Sequence, residues 1–221
     1  DARTAQALGE PPAQEGFIYV MFKLHVDLFA GLPGTLFLGF MGLLMIVAIV
    51  SGVVLYAPFM RKQPFGAVRR DRSTRLRWLD LHNVLGIVTL SWALVVGATG
   101  VINTWADLLI KLWQFNELSA ITAPYQGRPP ATQVVPLQVA TQAAQAMHPD
   151  MSVGFVSYPG TRLASPHHYA VFLRGTEPFS LRLYQPVLVD AAGGRVTAAP
   201  DLPWYITALL VSQPLHFGDY G

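Results

Sequence analysis

Residues 32–58 read LPGTLFLGFMGLLMIVAIVSGVVLYAP, and no charged side chain interrupts the chain from Leu28 to Met60. Roughly 20 apolar residues cross a hydrocarbon core of about 30 Å as a helix, so this stretch is long enough to span. A helix is the expected form, because lipid offers backbone amides no partner and a helix pairs them internally. A second run, Leu81 to Ala106, carries no ionisable side chain except His82. The competing reading, two core helices of a soluble protein, fits poorly with a composition that is 52% hydrophobic and 13% charged. Soluble domains carry about 25% charged residues. The sequence therefore predicts an α-helical transmembrane bundle with spans at 32–58 and 82–106.

The charge between these spans orients them. Seven of the fifteen basic residues, Arg61, Lys62, Arg69, Arg70, Arg72, Arg75 and Arg77, fall in the connection 59–81. Short loops rich in Lys and Arg stay in the cytoplasm, and apolar flanks make this a membrane loop, not a nucleic-acid patch. The chain has no cysteine, which excludes disulfides, thiolate metal sites and iron–sulfur clusters. Residues 1–31 read as a polar loop with Pro11 and Pro12, then a juxtamembrane stretch from Phe17 to Phe29 bearing Lys23, His25 and Asp27. Beyond the second span, Trp105 and Trp113 stand where an aromatic belt is expected.

Within the segment 107–203 the character changes from about Ala120 to Leu202, where the apolar runs shorten and Pro and Gly become frequent. Leu137–Met147 reads as a helix; Met151–Tyr158, His168–Arg174, Arg182–Val189 and Arg195–Ala198 read as strands, with Gly193-Gly194 as a hairpin signal. This predicts a small α+β domain on the outer face. Residues 204–221 are apolar again from Trp204 to Leu215, too few to span, and read as an interfacial segment leading to a further span. A chain that starts at Asp1 and stops within a motif at Gly221 is expected to be a segment of a longer protein.

The motif is a repeat. Leu24-His25-Val26-Asp27-Leu28-Phe29-Ala30-Gly31 and Leu215-His216-Phe217-Gly218-Asp219-Tyr220-Gly221 both give Leu-His followed by an Asp, an aromatic and a Gly. A third Leu-His, Leu81-His82, opens the second span. The orientation above puts His25 and His216 at the outer surface and His82 at the inner one. Two histidines from different helices at one depth, beside glycine and aromatics, meet the needs of bis-imidazole haem ligation, with Phe22, Phe29, Phe217 and Tyr220 available to wall the ring. Each histidine alone also fits a plainer role, bonding headgroups or capping a helix. Ser51-Gly52 and Thr99-Gly100 read as helix packing. His148 reads as a helix-end residue, and the adjacent His167 and His168 as surface residues on opposite faces of a strand.

These segments resemble the PepSY-associated transmembrane family. The resemblance is carried by Leu24–Gly34 and its following span, Leu81-His82-Asn83-Val84-Leu85-Gly86 leading to Ala98-Thr99-Gly100, the α+β region, and Pro214–Gly221. It implies a four-span protein of the bacterial inner membrane, of which this chain holds two spans, with a PepSY-like α+β domain in the periplasm. It further implies an outer haem b on His25 and His216 and an inner haem b on His82, as in haem-containing reductases of ferric siderophores. A ferric siderophore and membrane lipid are then the expected partners, with a quinone or a cytoplasmic reductase as donor. Two other classes remain open: a permease component for iron complexes, and a cofactor-free anchor displaying the outer module. The sequence offers no acid–base dyad, nucleophile triad or phosphate-binding glycine loop, so no catalytic side chain is expected beyond the haem ligands.

Overall fold

A computed structural model of the chain describes residues 3–4, 6, 9, 14–178 and 180–219. Pro11, Pro12, Tyr220 and Gly221, which the sequence reading used, lie outside the described residues. Two long apolar helices and a small four-stranded antiparallel sheet dominate the architecture.

A short helix α1 (Gly16–Val26) leads through a tight turn into α2 (Leu32–Met60). Pro33 sits in the first turn of α2, where a missing N–H costs nothing and the fixed φ favours the helix. The second long helix, α3 (Thr74–Thr104), begins eight residues before the expected span. Thr74 to Asp80 contains no Gly or Pro, so the helix continues into the basic connection and carries Arg75 and Arg77 on its first turns. Asp80 faces back onto that connection: Arg69 donates to its carboxylate from Nε at 2.9 Å, from Nη2 at 2.6 Å and from its backbone N–H at 2.9 Å.

α2 and α3 pack antiparallel through small residues. A Cβ on Gly42 would stand 2.7 Å from the Val101 side chain, and one on Gly97 would stand 2.6 Å from the Met45 methyl. Such close approach is how helices associate where lipid removes the hydrophobic drive. Most of the remaining surface of both helices is uncovered and apolar, with Val54, Leu55, Val88 and Trp92 among the most exposed side chains. This is a surface suited to lipid or to other spans.

α3 passes into α4 (Ala106–Trp113), a π-helical turn (Gln114–Leu118), α5 (Ser119–Thr122) and a 3-10 turn (Ala123–Tyr125). The sheet domain follows: α6 (Leu137–Met147), β1 (Ser152–Ser157), β2 (His168–Arg174), β3 (Tyr184–Asp190) and β4 (Val196–Ala198), in the order β1-β2-β3-β4. β2 pairs with β3 from His168↔Asp190 to Arg174↔Tyr184. Alternate residues then take opposite faces. Tyr169, Val171 and Leu173 pack with Ala140 and Ala144 of α6, while Ala170, Phe172 and Leu188 pack with Trp113, Leu118 and Ile206. With both faces covered, β2 is buried almost throughout, which is why Tyr169 to Leu173 is continuously apolar. The second cluster also seats the sheet on the helical layer, because Ile206 belongs to α7 (Trp204–Phe217).

α7 runs back along α3. Ser212, 2% exposed, bonds the Asn103 side chain at 2.9 Å. At the sheet-domain end of α7, the Tyr205 hydroxyl donates to Glu117 at 2.8 Å, and burial together with this bond pushes the phenol up to about 12.

Candidate functional site

The turn between α1 and α2 is built by local strain and local bonds. Leu28 and Phe29 both take positive φ, at 54° and 60°, a conformation that costs side-chain-bearing residues of order 1–3 kcal/mol. Asp27, 8% exposed, offsets this: its carboxylate accepts the Phe29 N–H at 3.0 Å and a hydrogen bond from Lys23. The Asp27 carbonyl accepts the Ala30 N–H at 2.8 Å. α2 starts against this carbonyl at Gly34, where a Cβ would overlap the oxygen and stand 2.7 Å from the carbonyl carbon. The turn thereby fixes the end of α1 that carries His25.

The second histidine comes from the far end of the chain. His216 lies in the last turn of α7, which ends at Gly218 in the left-handed conformation with its N–H on the Pro214 carbonyl. The ring of His216 is half-buried against α3. Its Nδ1 lies 3.1 Å from the Val96 carbonyl oxygen and 3.2 Å from the Thr99 hydroxyl. A Cβ on Gly100 would stand 3.2 Å from the ring Cε1, so the ring rests on bare helix backbone there.

The fold brings these two histidines together. The rings of His25 and His216 have centroids 6.1 Å apart and planes inclined by 20°. Phe217, 75% exposed, meets the His216 ring edge-on with centroids 5.3 Å apart, while the Phe29 ring packs edge-on against Tyr19. Asp219, the acidic residue of the repeat, pairs with Arg182 of the sheet domain. His82 is not part of this group. It sits about five turns before Gly100 on α3, or ~27 Å at 1.5 Å per residue, with an exposed side chain.

Two readings of the sequence change here. Thr99-Gly100, taken as helix packing, is half of the seat of His216. His168, taken as a surface residue, is 1% exposed. Its Nδ1 shares a 2.6 Å hydrogen bond with Ser165, and the Tyr125 ring covers it edge-on with centroids 4.4 Å apart. Burial pushes the His168 imidazole pKa down, against an upward pull from Asp190. Asp190 itself is held below the usual carboxylate range, chiefly by the Gly193 N–H, and also by that of Ala192. These groups organise the β3–β4 hairpin and the base of β2, away from His25 and His216. Among the described residues no group of three or more acidic, histidine or cysteine side chains forms a metal cage.

Comparison with known proteins agrees with this architecture. The sequence profile of the family described as "PepSY-associated TM region" matches residues 1–221. An uncharacterized protein of Pseudomonas aeruginosa is 28% identical over an alignment of 219 residues, which covers 91% of this chain and 54% of the relative. The chain thus spans about half the length of that curated relative. No solved structure matches the chain significantly.

Proposed function

The chain belongs to the PepSY-associated TM region family, and on that footing we propose that it is part of a haem-b-containing oxidoreductase that passes electrons across the bacterial inner membrane to a ferric siderophore in the periplasm. The observation that carries this reading is the pairing of His25 with His216. Two imidazoles bound through nitrogen to one metal, at about 2.0–2.1 Å per bond and about 1.1 Å from each nitrogen to its ring centre, have centroids roughly 6.3 Å apart. The rings here stand 6.1 Å apart with nearly parallel planes. The ring of His216 is seated on glycine backbone, and the exposed Phe217 ring meets it edge-on. These residues fit a bis-histidine haem.

His25 and His216 would hold this outer haem, and His82 a second one near the cytoplasmic end of α3, with a partner ligand from outside these 221 residues. When bound, the haems supply one-electron transfer, at potentials tuned by axial ligands and their surroundings. The protein's part is to fix the histidines, exclude bulk water from the ligand bonds and bring an acceptor to the outer edge. Each Fe(III) takes one electron, delivered from a quinol or a cytoplasmic reductase. The resulting Fe(II) is held less tightly by hard oxygen ligands and is released. An ion pair between Arg182 and Asp219 links the α+β sheet domain to the end of α7 that carries His216.

Proteoliposomes holding the full-length protein, with a reduced donor inside and a ferric siderophore outside, test this. Trapped Fe(II) should form outside with wild type and fail to form with His216→Ala. A haem-loaded wild type that forms none would refute the acceptor.

A further inference from the structure

His216 Nδ1 has two neighbours on α3, the Val96 carbonyl at 3.1 Å and the Thr99 hydroxyl at 3.2 Å. A carbonyl can only accept a hydrogen bond. A threonine hydroxyl has one proton to give, and that of Thr99 goes to the Val95 carbonyl at 2.6 Å, the shortest of its contacts. Toward the ring, Thr99 therefore presents a lone pair. With acceptors on both sides, the imidazole proton resides on Nδ1, and Nε2 keeps the lone pair that binds a metal. Thr99 is 6% exposed, so water does not replace it. Gly100 completes the arrangement by letting the ring settle within reach of both acceptors.

We propose that Thr99 is a positioning residue for His216: with the Val96 carbonyl it holds the ring as the Nδ1–H tautomer and sets how strongly Nε2 donates to iron. This rests on the haem reading above. An acceptor on the far nitrogen raises the basicity of a ligating imidazole, which favours the ferric state. Thr99→Val keeps the shape and removes one of two acceptors. Val96 still orients the ring, so haem should be retained while the outer potential rises. Losing such a partner changes metal affinity about 10- to 100-fold. If the ferric state loses the lower of these, the ratio of reduced to oxidised outer haem rises about tenfold, about 59 mV for one electron.

The test is a potentiometric titration, by visible absorbance, of the detergent-purified full-length protein as wild type, Thr99→Val, Thr99→Ser and His216→Ala. The wave lost in His216→Ala identifies the outer haem. That wave should move up in Thr99→Val and return in Thr99→Ser, with the other wave unmoved. An unmoved outer wave in a haem-loaded Thr99→Val protein overturns the role of Thr99 and leaves the haem reading standing. No haem in wild type overturns the haem reading, and with it any tuning by Thr99. The tautomer is then still decided by nitrogen NMR of 15N-histidine protein. The His216 signals, identified by their loss in His216→Ala, should place the proton on Nδ1, and a proton on Nε2 overturns the hydrogen-bond assignment.

Discussion

Replacing Gly34 by Ala should damage the His25–His216 site from a position that touches neither ring. Gly34 stands in the first turn of α2, where alanine is ordinarily the better residue by about 0.8–1.0 kcal/mol. Here the added methyl would overlap the Asp27 carbonyl oxygen and stand 2.7 Å from its carbon. Carbon atoms pack best at about 3.5–4.0 Å, so the 27–31 turn and the start of α2 must part by about 1 Å. Forced overpacking of this kind costs about 1–3 kcal/mol. The turn also depends on the Ala30 N–H to Asp27 bond and the Phe29 N–H to Asp27 bond, at 2.8 and 3.0 Å. Weakening either adds about 0.5–1.5 kcal/mol, and the helix preference for alanine offsets about 0.8–1.0 kcal/mol, so a net loss of about 0.5–3.7 kcal/mol is expected. Because His25 lies two residues before Asp27, the same displacement should separate it from His216. Gly52→Ala is the matched control: it lies in the same helix, and its added Cβ meets nothing within 4 Å. Thermal unfolding and haem content of both purified variants measure the effect. The control should be at least as stable as wild type and keep its spectrum, whereas Gly34→Ala should unfold at lower temperature and lose the His25-dependent haem signal. A Gly34→Ala protein with wild-type stability and spectrum would refute the reasoning.

Two further predictions concern other parts of the molecule. The buried His168 has a folded-state pKa below its ordinary value of 6.5, so the unfolded chain binds more protons between the folded pKa and 6.5. Stability should therefore fall as pH drops from about 6.5 to that folded value, with a slope no steeper than about 1.4 kcal/mol per unit, and level off below it. His168→Asn should flatten the profile, as read from unfolding midpoints at a series of pH values. At the other end of the protein, Asp80→Ala removes the carboxylate that takes three hydrogen bonds from Arg69. In inside-out membrane vesicles, trypsin should cut the 61–73 connection faster than in wild type, whereas right-side-out vesicles should protect both proteins.

The parts of this architecture that depend on local composition were open to reading from the sequence. The long apolar helices follow from uncharged length, and α6 and the four strands follow from period and turn residues. The shared context of His25 and His216 also singled them out as a pair. What the sequence hid depends on distant segments meeting. Thr99 and His216 are separated by 117 positions, and a Thr-Gly pair within an apolar helix carries no local mark distinguishing a ring seat from ordinary packing. The burial of His168 requires helices on both faces of the sheet. Its signal was the unbroken apolar run from Tyr169 to Leu173, which a half-exposed strand would not need. The 14 residues of α7 are too few to reveal by length that the helix packs along α3, since that contact runs through the polar pair Ser212 and Asn103.

The most direct test of the central claim is the reduced-minus-oxidised visible spectrum of the detergent-purified full-length protein, expressed with ample haem, beside His25→Ala and His216→Ala. The account predicts sharp b-type bands in wild type that weaken in each single variant, because either substitution removes one of the two outer axial ligands. A wild-type protein without such bands, or with bands that neither substitution changes, would contradict it.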